Sequence, residues 1–150
     1  MELVDLLQNR LSEGTDAPGE EVAEDLLSSV ATLEISNIGR TLESIDRARF
    51  SEVAEVLFAS ARVHTFGMGV SAHLAEFAAY SLVQIGIRAV ALETRFSTPA
   101  EQVVTMGEGD LLLALSFPPY SRQTLDLMSA ADEVGVDIVA VCDRLTAPAA

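Results

Sequence analysis

A chain of 150 residues that is 49% hydrophobic is long enough to bury a core and short enough to hold one domain with an attachment. Its formal charge is −14 and all nine basic residues are arginine, so its surface repels nucleic-acid phosphates and anionic membranes rather than seeking them. The lone Cys142 excludes an intrachain disulfide and a cysteine zinc cluster, no apolar run has membrane-spanning length, and the start lacks a signal-peptide pattern; a cytoplasmic protein is expected.

Residues Glu2 to Leu11 carry Leu3, Leu6, Leu7 and Leu11 at helical spacing. The polar stretch Ser12 to Gly19, punctuated by Gly14, Pro18 and Gly19, reads as a linker. A long helical pattern follows from Glu20 to Glu43, with Val22, Leu26, Val30, Leu33, Ile38 and Leu42 repeating every three to four residues. Asp46 can cap the next helix, whose apolar side holds Phe50, Val53, Val56 and Leu57.

From Arg62 the pattern changes. Arg62 to Phe66 is a strand candidate ending in Gly67-Met68-Gly69-Val70-Ser71, and a helix over Ala72 to Ile85 is stopped by Gly86. Arg88 to Leu92 is a second strand. Thr98-Pro99-Ala100-Glu101 has the spacing of a capping box with proline at the first helical position. Gly107 to Gly109 ends that helix, and Leu111 to Leu115 is a third strand. Ser116-Phe117-Pro118-Pro119-Tyr120 is a rigid turn, Ser121 to Val134 a helix, and Asp137 to Val141 a fourth strand. The alternation predicts an α/β fold: a parallel sheet of about four strands, doubly wound, in three layers, preceded by N-terminal helices.

In such sheets ligands sit beyond the carboxyl ends of the strands. Two segments lie there, Gly67 to Ser71 and Ser116 to Thr124. Hydroxyls at the mouth of a strand–turn–helix unit face the free N–H groups and the positive end of the helix dipole, which suits phosphate. Gly69 allows close approach of the backbone; Ser71, Ser116, Ser121 and Thr124 supply hydroxyls. Ser71 and Ser121 can equally be plain helix caps, and Thr124 can bond back to the preceding turn. Tyr120 either stacks on a sugar ring or closes the pocket. Arg122 either adds charge near a phosphate or is an exposed helix arginine.

Other chemistries have weaker footing. Gly67-x-Gly69 begins a dinucleotide fingerprint, but the third glycine position holds Ala72. His64, inside the first strand, reads as a core or interface histidine. His73 with Glu76, Glu93 or Glu101 offers acid–base groups, with no spacing that pairs them. Cys142 reads as an inert packed thiol. No metal set and no cofactor motif emerge.

Taken together, these segments resemble a SIS (sugar isomerase) domain, specifically the effector-binding domain of MurR/RpiR-type transcriptional regulators. The resemblance rests on Ala59-Ser60-Ala61-Arg62-Val63, Gly67-Met68-Gly69-Val70-Ser71 followed by Ala75, and Gly109-Asp110 before Leu111 to Ser116. It rests further on Ser116-Phe117-Pro118-Pro119-Tyr120-Ser121-Arg122-Gln123-Thr124 and on Cys142-Asp143 with Ala147-Pro148. It implies a sugar-phosphate sensor in which Ser71, Ser116, Ser121 and Thr124 contact the phosphate; Gly69 and Tyr120 are the further ligand-site candidates from the residues themselves, and no catalytic residue is assigned. It also implies a homodimer or higher homo-oligomer, with DNA bound only through a helix-turn-helix domain absent from these residues.

The organisation expected is an N-terminal helix and linker over residues 1–19, a linker or dimerisation helix over 20–45, and a SIS domain over 46–150 that is shortened at its C-terminal end. The Pro-Pro-Tyr loop places Arg122 where many SIS isomerases have glycine, which argues against an isomerase. Aldose–ketose phosphate isomerisation and a purely oligomerising remnant are the alternatives.

Overall fold

The computed structural model describes residues 20–93 and 98–150, so the helix and linker expected over 1–19 lie outside the described residues. The chain divides into two compact units, residues up to Arg47 and residues 48–150. The first contributes helix α1 (Glu20–Ser44). Thr32, Thr41 and Ser44 direct their hydroxyls back to carbonyls of their own helix, at 2.8–2.9 Å. Ile35, Ile38 and Leu42 stand exposed along it, at the spacing of a helical stripe.

The remaining elements are α2 (Arg47–Ala59), β1 (Arg62–Gly67), α3 (Val70–Gln84), β2 (Ala89–Ala91), α4 (Pro99–Val103), β3 (Asp110–Ser116), α5 (Arg122–Glu133) and β4 (Asp137–Cys142). All strand pairs are parallel, in the order β2-β1-β3-β4. This is the α/β architecture the alternating pattern predicts. The central strands are buried on both faces, which is why β1 and β3 read as almost unbroken apolar runs. The edge strand β2 is shorter than the sequence suggests. Its ladder with β1 is nonetheless extended by the Val63 N–H bond to the Arg88 carbonyl (2.8 Å) and the Leu92 N–H bond to the Thr65 carbonyl (2.9 Å).

Two apolar clusters sandwich the sheet. On one face Phe66, Leu112 and Ala114 pack with Val103, Leu127 and Ala131; on the other Val63, Leu111, Leu113 and Leu115 pack with Ala75 and Ile87. Helices α4 and α5 thus cover one face and α3 the other. Connection β1–α3–β2 runs toward one edge and β3–α5–β4 toward the opposite edge. The reversal falls between β1 and β3, where the two following loops part and open a crevice. Among the described residues no helix is long and apolar enough to cross a membrane.

Candidate functional site

At the end of β1, Gly67 lies directly beneath the first turn of α3. A Cβ there would stand 2.5 Å from the Ser71 carbonyl oxygen, so only glycine lets the helix begin over the strand end. Gly69 is the N-cap of α3, with φ +61° and ψ −126°, a conformation side chains rarely tolerate. Ser71 is therefore the second residue of the helix rather than its cap, and it is buried. The N–H groups of Ser71 and Ala72 already bond to the carbonyls of Met68 (3.2 Å) and Gly69 (3.1 Å). The α3 terminus thus consumes donors that a ligand would otherwise use.

The end of β3 differs. Ser116, its last residue, is 3% exposed, and its Oγ is shut from solvent with no hydrogen-bond partner among the described residues. Such an orphaned hydroxyl costs about 1–3 kcal/mol. Ser121 is the N-cap of α5 in extended conformation, yet its side chain caps no N–H. The first bond into this helix end is the Leu125 N–H to the Ser121 carbonyl, at 3.5 Å; the N–H groups of Arg122, Gln123 and Thr124 find no partner among the described residues. Thr124 is buried in the same turn. The α5 terminus therefore keeps its donors and its positive dipole end unengaged.

The register brings these loops together. Gly67 pairs with Leu115, and Ser116 with Cys142, so the exits of β1, β3 and β4 stand in one row at strand spacing. Ser116 shares the α5 face of the sheet with Leu112 and Ala114, whereas Ser71 belongs to the α3 face. Ser71 and Ser116 thus stand on opposite faces of the sheet, at the exits of two neighbouring strands.

Tyr120 is held by the loop after β4. Its hydroxyl donates to Asp143 Oδ1 at 2.7 Å and accepts from Arg144 Nε at 3.1 Å, and the Arg144 guanidinium lies 5.8 Å from the ring centroid. The bond to Asp143, aided by burial, pushes the phenol up, against the opposing pull of Arg144. Nothing in residue spacing linked Tyr120 to partners so far along the chain; a charged pair directly after a strand at the same rim was the available signal. Arg122 projects outward, 91% exposed, 3.8 Å from Asp126. Burial, and then Asp143, pushes the Cys142 thiol up, as suits an unreactive cysteine.

The acid–base candidates separate. Glu76 and Glu93 line a cleft of about 270 Å³ together with Gly67, Met68, Gly69 and Ala72. His73 Nδ1 lies 3.9 Å from Glu76 Oε2, both side chains being largely exposed. Glu101 is drawn away: its carboxylate accepts from the Thr98 N–H at 2.7 Å, which, with the Thr98 hydroxyl, holds it below the usual range. None of the four hydroxyl residues lines this cleft, and its two carboxylates repel an anion while suiting neutral hydroxyl groups. A larger hollow of about 510 Å³ opens at the amino ends of β1 and β2, between Arg62 and Arg88. It carries no hydroxyl side chain and lies at the end of the sheet away from the crevice. His64 is buried within β1 against Asp110, remote from the rim.

Residues 56–150 match the SIS domain family, so the chain belongs to that family. An uncharacterized HTH-type transcriptional regulator of Haemophilus influenzae is 28% identical over 127 residues, covering 85% of this chain. This chain spans 42% of that regulator's length. The sugar isomerase domain of an RpiR transcription factor from Sphaerobacter thermophilus superposes with a TM-score of 0.76 at 29% identity, covering 82% of this chain and 69% of that one. The NanR protein of Vibrio vulnificus, solved with ManNAc-6P, shares the fold with a TM-score of 0.71 at 20% identity, covering 83% of this chain and 47% of that one. Phosphoheptose isomerase GmhA from Neisseria gonorrhoeae shares the fold with a TM-score of 0.66 at 24% identity, covering 80% of this chain and 76% of that one.

Proposed function

We propose that residues 48–150 bind a phosphorylated sugar and act as the sensing domain of an RpiR-type transcriptional regulator. The observation that carries this reading is the open N-terminus of α5. Among the described residues its cap hydroxyl is uncommitted and its first N–H groups have no partner, and the buried, unpartnered Ser116 hydroxyl ends the strand that leads into it. In this arrangement Ser121, Thr124 and the α5 amides take the phosphate. Ser71 and Ser116 flank it, Gly69 admits the ligand close to the backbone, and Tyr120 forms the rim. Because Ser116 Oγ is closed to solvent, a phosphate oxygen reaches it only if the groups around it shift. Such a shift is how occupancy would be transmitted: a ligand moves an equilibrium only by its difference in affinity for the two states.

The sugar hydroxyls would extend toward Glu76 and Glu93, whose carboxylates accept hydrogen bonds. The exposed Ile35, Ile38 and Leu42 of α1 suit a helix–helix seam between two copies. In this reading DNA contact belongs to a helix-turn-helix domain, as the likeness to an HTH-type regulator suggests. The likeness to the Sphaerobacter thermophilus RpiR domain and to NanR, which was solved with ManNAc-6P, supports a phosphosugar as ligand.

The test is thermal denaturation and calorimetry of the full chain with ManNAc-6P, a panel of other hexose and pentose phosphates, and the unphosphorylated parent sugars. Phosphorylated members raise the melting temperature and their parents do not. The double change Ser121→Ala and Thr124→Ala lowers affinity at least tenfold, the scale of losing charge-assisted hydrogen bonds. No response to any phosphosugar rejects the reading. Turnover of a phosphosugar, abolished by changing Glu76 or His73, would instead identify an isomerase.

A further inference from the structure

We infer that Arg144 is a binding residue for the anionic group of the ligand, and that Tyr120 is the positioning residue that holds it in place. This rests on the sugar-phosphate reading above. Arg144 lies two residues past Cys142, the register partner of the orphaned Ser116, and Tyr120 immediately precedes the uncommitted cap Ser121. The bond between them therefore joins the loop that carries the hydroxyls to the loop that carries the cation.

The geometry leaves the guanidinium ready for an anion. Its Nε is spent on the Tyr120 hydroxyl at 3.1 Å, and the ring lies beneath it at 5.8 Å. Among the described residues the two Nη groups have no partner and remain as the forked donor pair that matches phosphate oxygens. Asp143 is occupied on its other oxygen by the Tyr120 hydroxyl at 2.7 Å, and its Oδ2 stays 3.7 Å from Arg144 Nε. That spacing is too long for the charge-assisted hydrogen bond an incoming phosphate would form. Arg122, by contrast, is nearly fully exposed and turned along its helix toward Asp126. In a chain of formal charge −14, a cation held against Tyr120, one residue before the α5 cap, offsets the repulsion a phosphate meets there. An arginine already fixed by a phenol loses less side-chain freedom on binding than a free one.

The test is calorimetric titration of the full chain with ManNAc-6P and, separately, inorganic phosphate, at two salt concentrations. Arg144→Gln weakens the binding that wild type shows by about tenfold or more and flattens its salt dependence. Tyr120→Phe, which keeps the ring and loses both hydrogen bonds, weakens it by about threefold to tenfold. The double variant is no weaker than Arg144→Gln alone, because both changes act through one group. Melting temperatures of all three stay close to wild type. Unchanged affinity in Arg144→Gln, or losses that simply add, overturns the assignment while leaving the sugar-phosphate reading standing. Failure of the wild type to bind either probe removes the Arg144 assignment; the sugar-phosphate reading itself falls only if no member of the phosphosugar panel binds.

Discussion

His64 Nε2 lies 3.1 Å from Asp110 Oδ2, joining the interior of β1 to the first residue of β3. The same carboxylate oxygen accepts from the Gly107 N–H at 3.0 Å, so one side chain fixes both a neighbouring strand and the turn that delivers its own. The imidazole Nδ1 is buried without a hydrogen-bond partner among the described residues.

Burial is the largest single influence on the Asp110 carboxyl and raises it. The Gly107 N–H, the His64 bond and charge, and Arg62 outweigh that, so the group stays ionised to lower pH than its ordinary value of 3.8. Its contribution to stability is therefore complete above that value and is lost as pH falls through the lower folded one. Asp110→Asn will cost about 1–3 kcal/mol at neutral pH. It will also flatten the decline of stability below about pH 4. Urea denaturation across acid pH measures both; an acid limb identical to wild type would assign the decline to other carboxyls.

Gly67→Ala will destabilise the domain by about 1–3 kcal/mol or prevent folding, because the new methyl meets Ser71 backbone atoms 2.5 and 2.6 Å away. Gly39, inside α1 with nothing within 4 Å of an added Cβ, provides the control: Gly39→Ala gains up to about 1 kcal/mol from helix propensity. Equilibrium denaturation of the two variants separates close approach from intrinsic preference. A neutral Gly67→Ala would mean that α3 can lift away from β1.

Two hydroxyl caps should respond differently to removal. Thr98 accepts from the Glu101 N–H at 3.3 Å and completes a capping box, so Thr98→Ala costs about 1 kcal/mol. Ser121 caps nothing, so Ser121→Ala changes stability by less than about 0.5 kcal/mol. Chemical denaturation of both distinguishes a hydroxyl kept for helix stability from one left free for a ligand. Equal losses would make Ser121 an ordinary cap.

Much of this was legible in the chain itself. Runs such as Leu111 to Leu115 declare a doubly covered strand, and Thr98 to Glu101 declares its capping box, because both signals depend on neighbours a few residues apart. Glycine at position 67 was visible, but its cause, the Ser71 backbone overhead, was not.

The local sequence set the order of helices and strands, the parallel sheet and the two hydroxyl-bearing loops, since periodicity and capping act within a turn or a strand. Tertiary structure alone decided that the strand order reverses between β1 and β3, that the Ser71 and Ala72 N–H groups of α3 find carbonyls while those of Arg122, Gln123 and Thr124 in α5 find no partner among the described residues, and that Tyr120 meets Asp143 and Arg144. The reason is physical: which helix end stays unsatisfied, and which distant side chains touch, depends on how the layers pack, and packing is a property of the whole sheet.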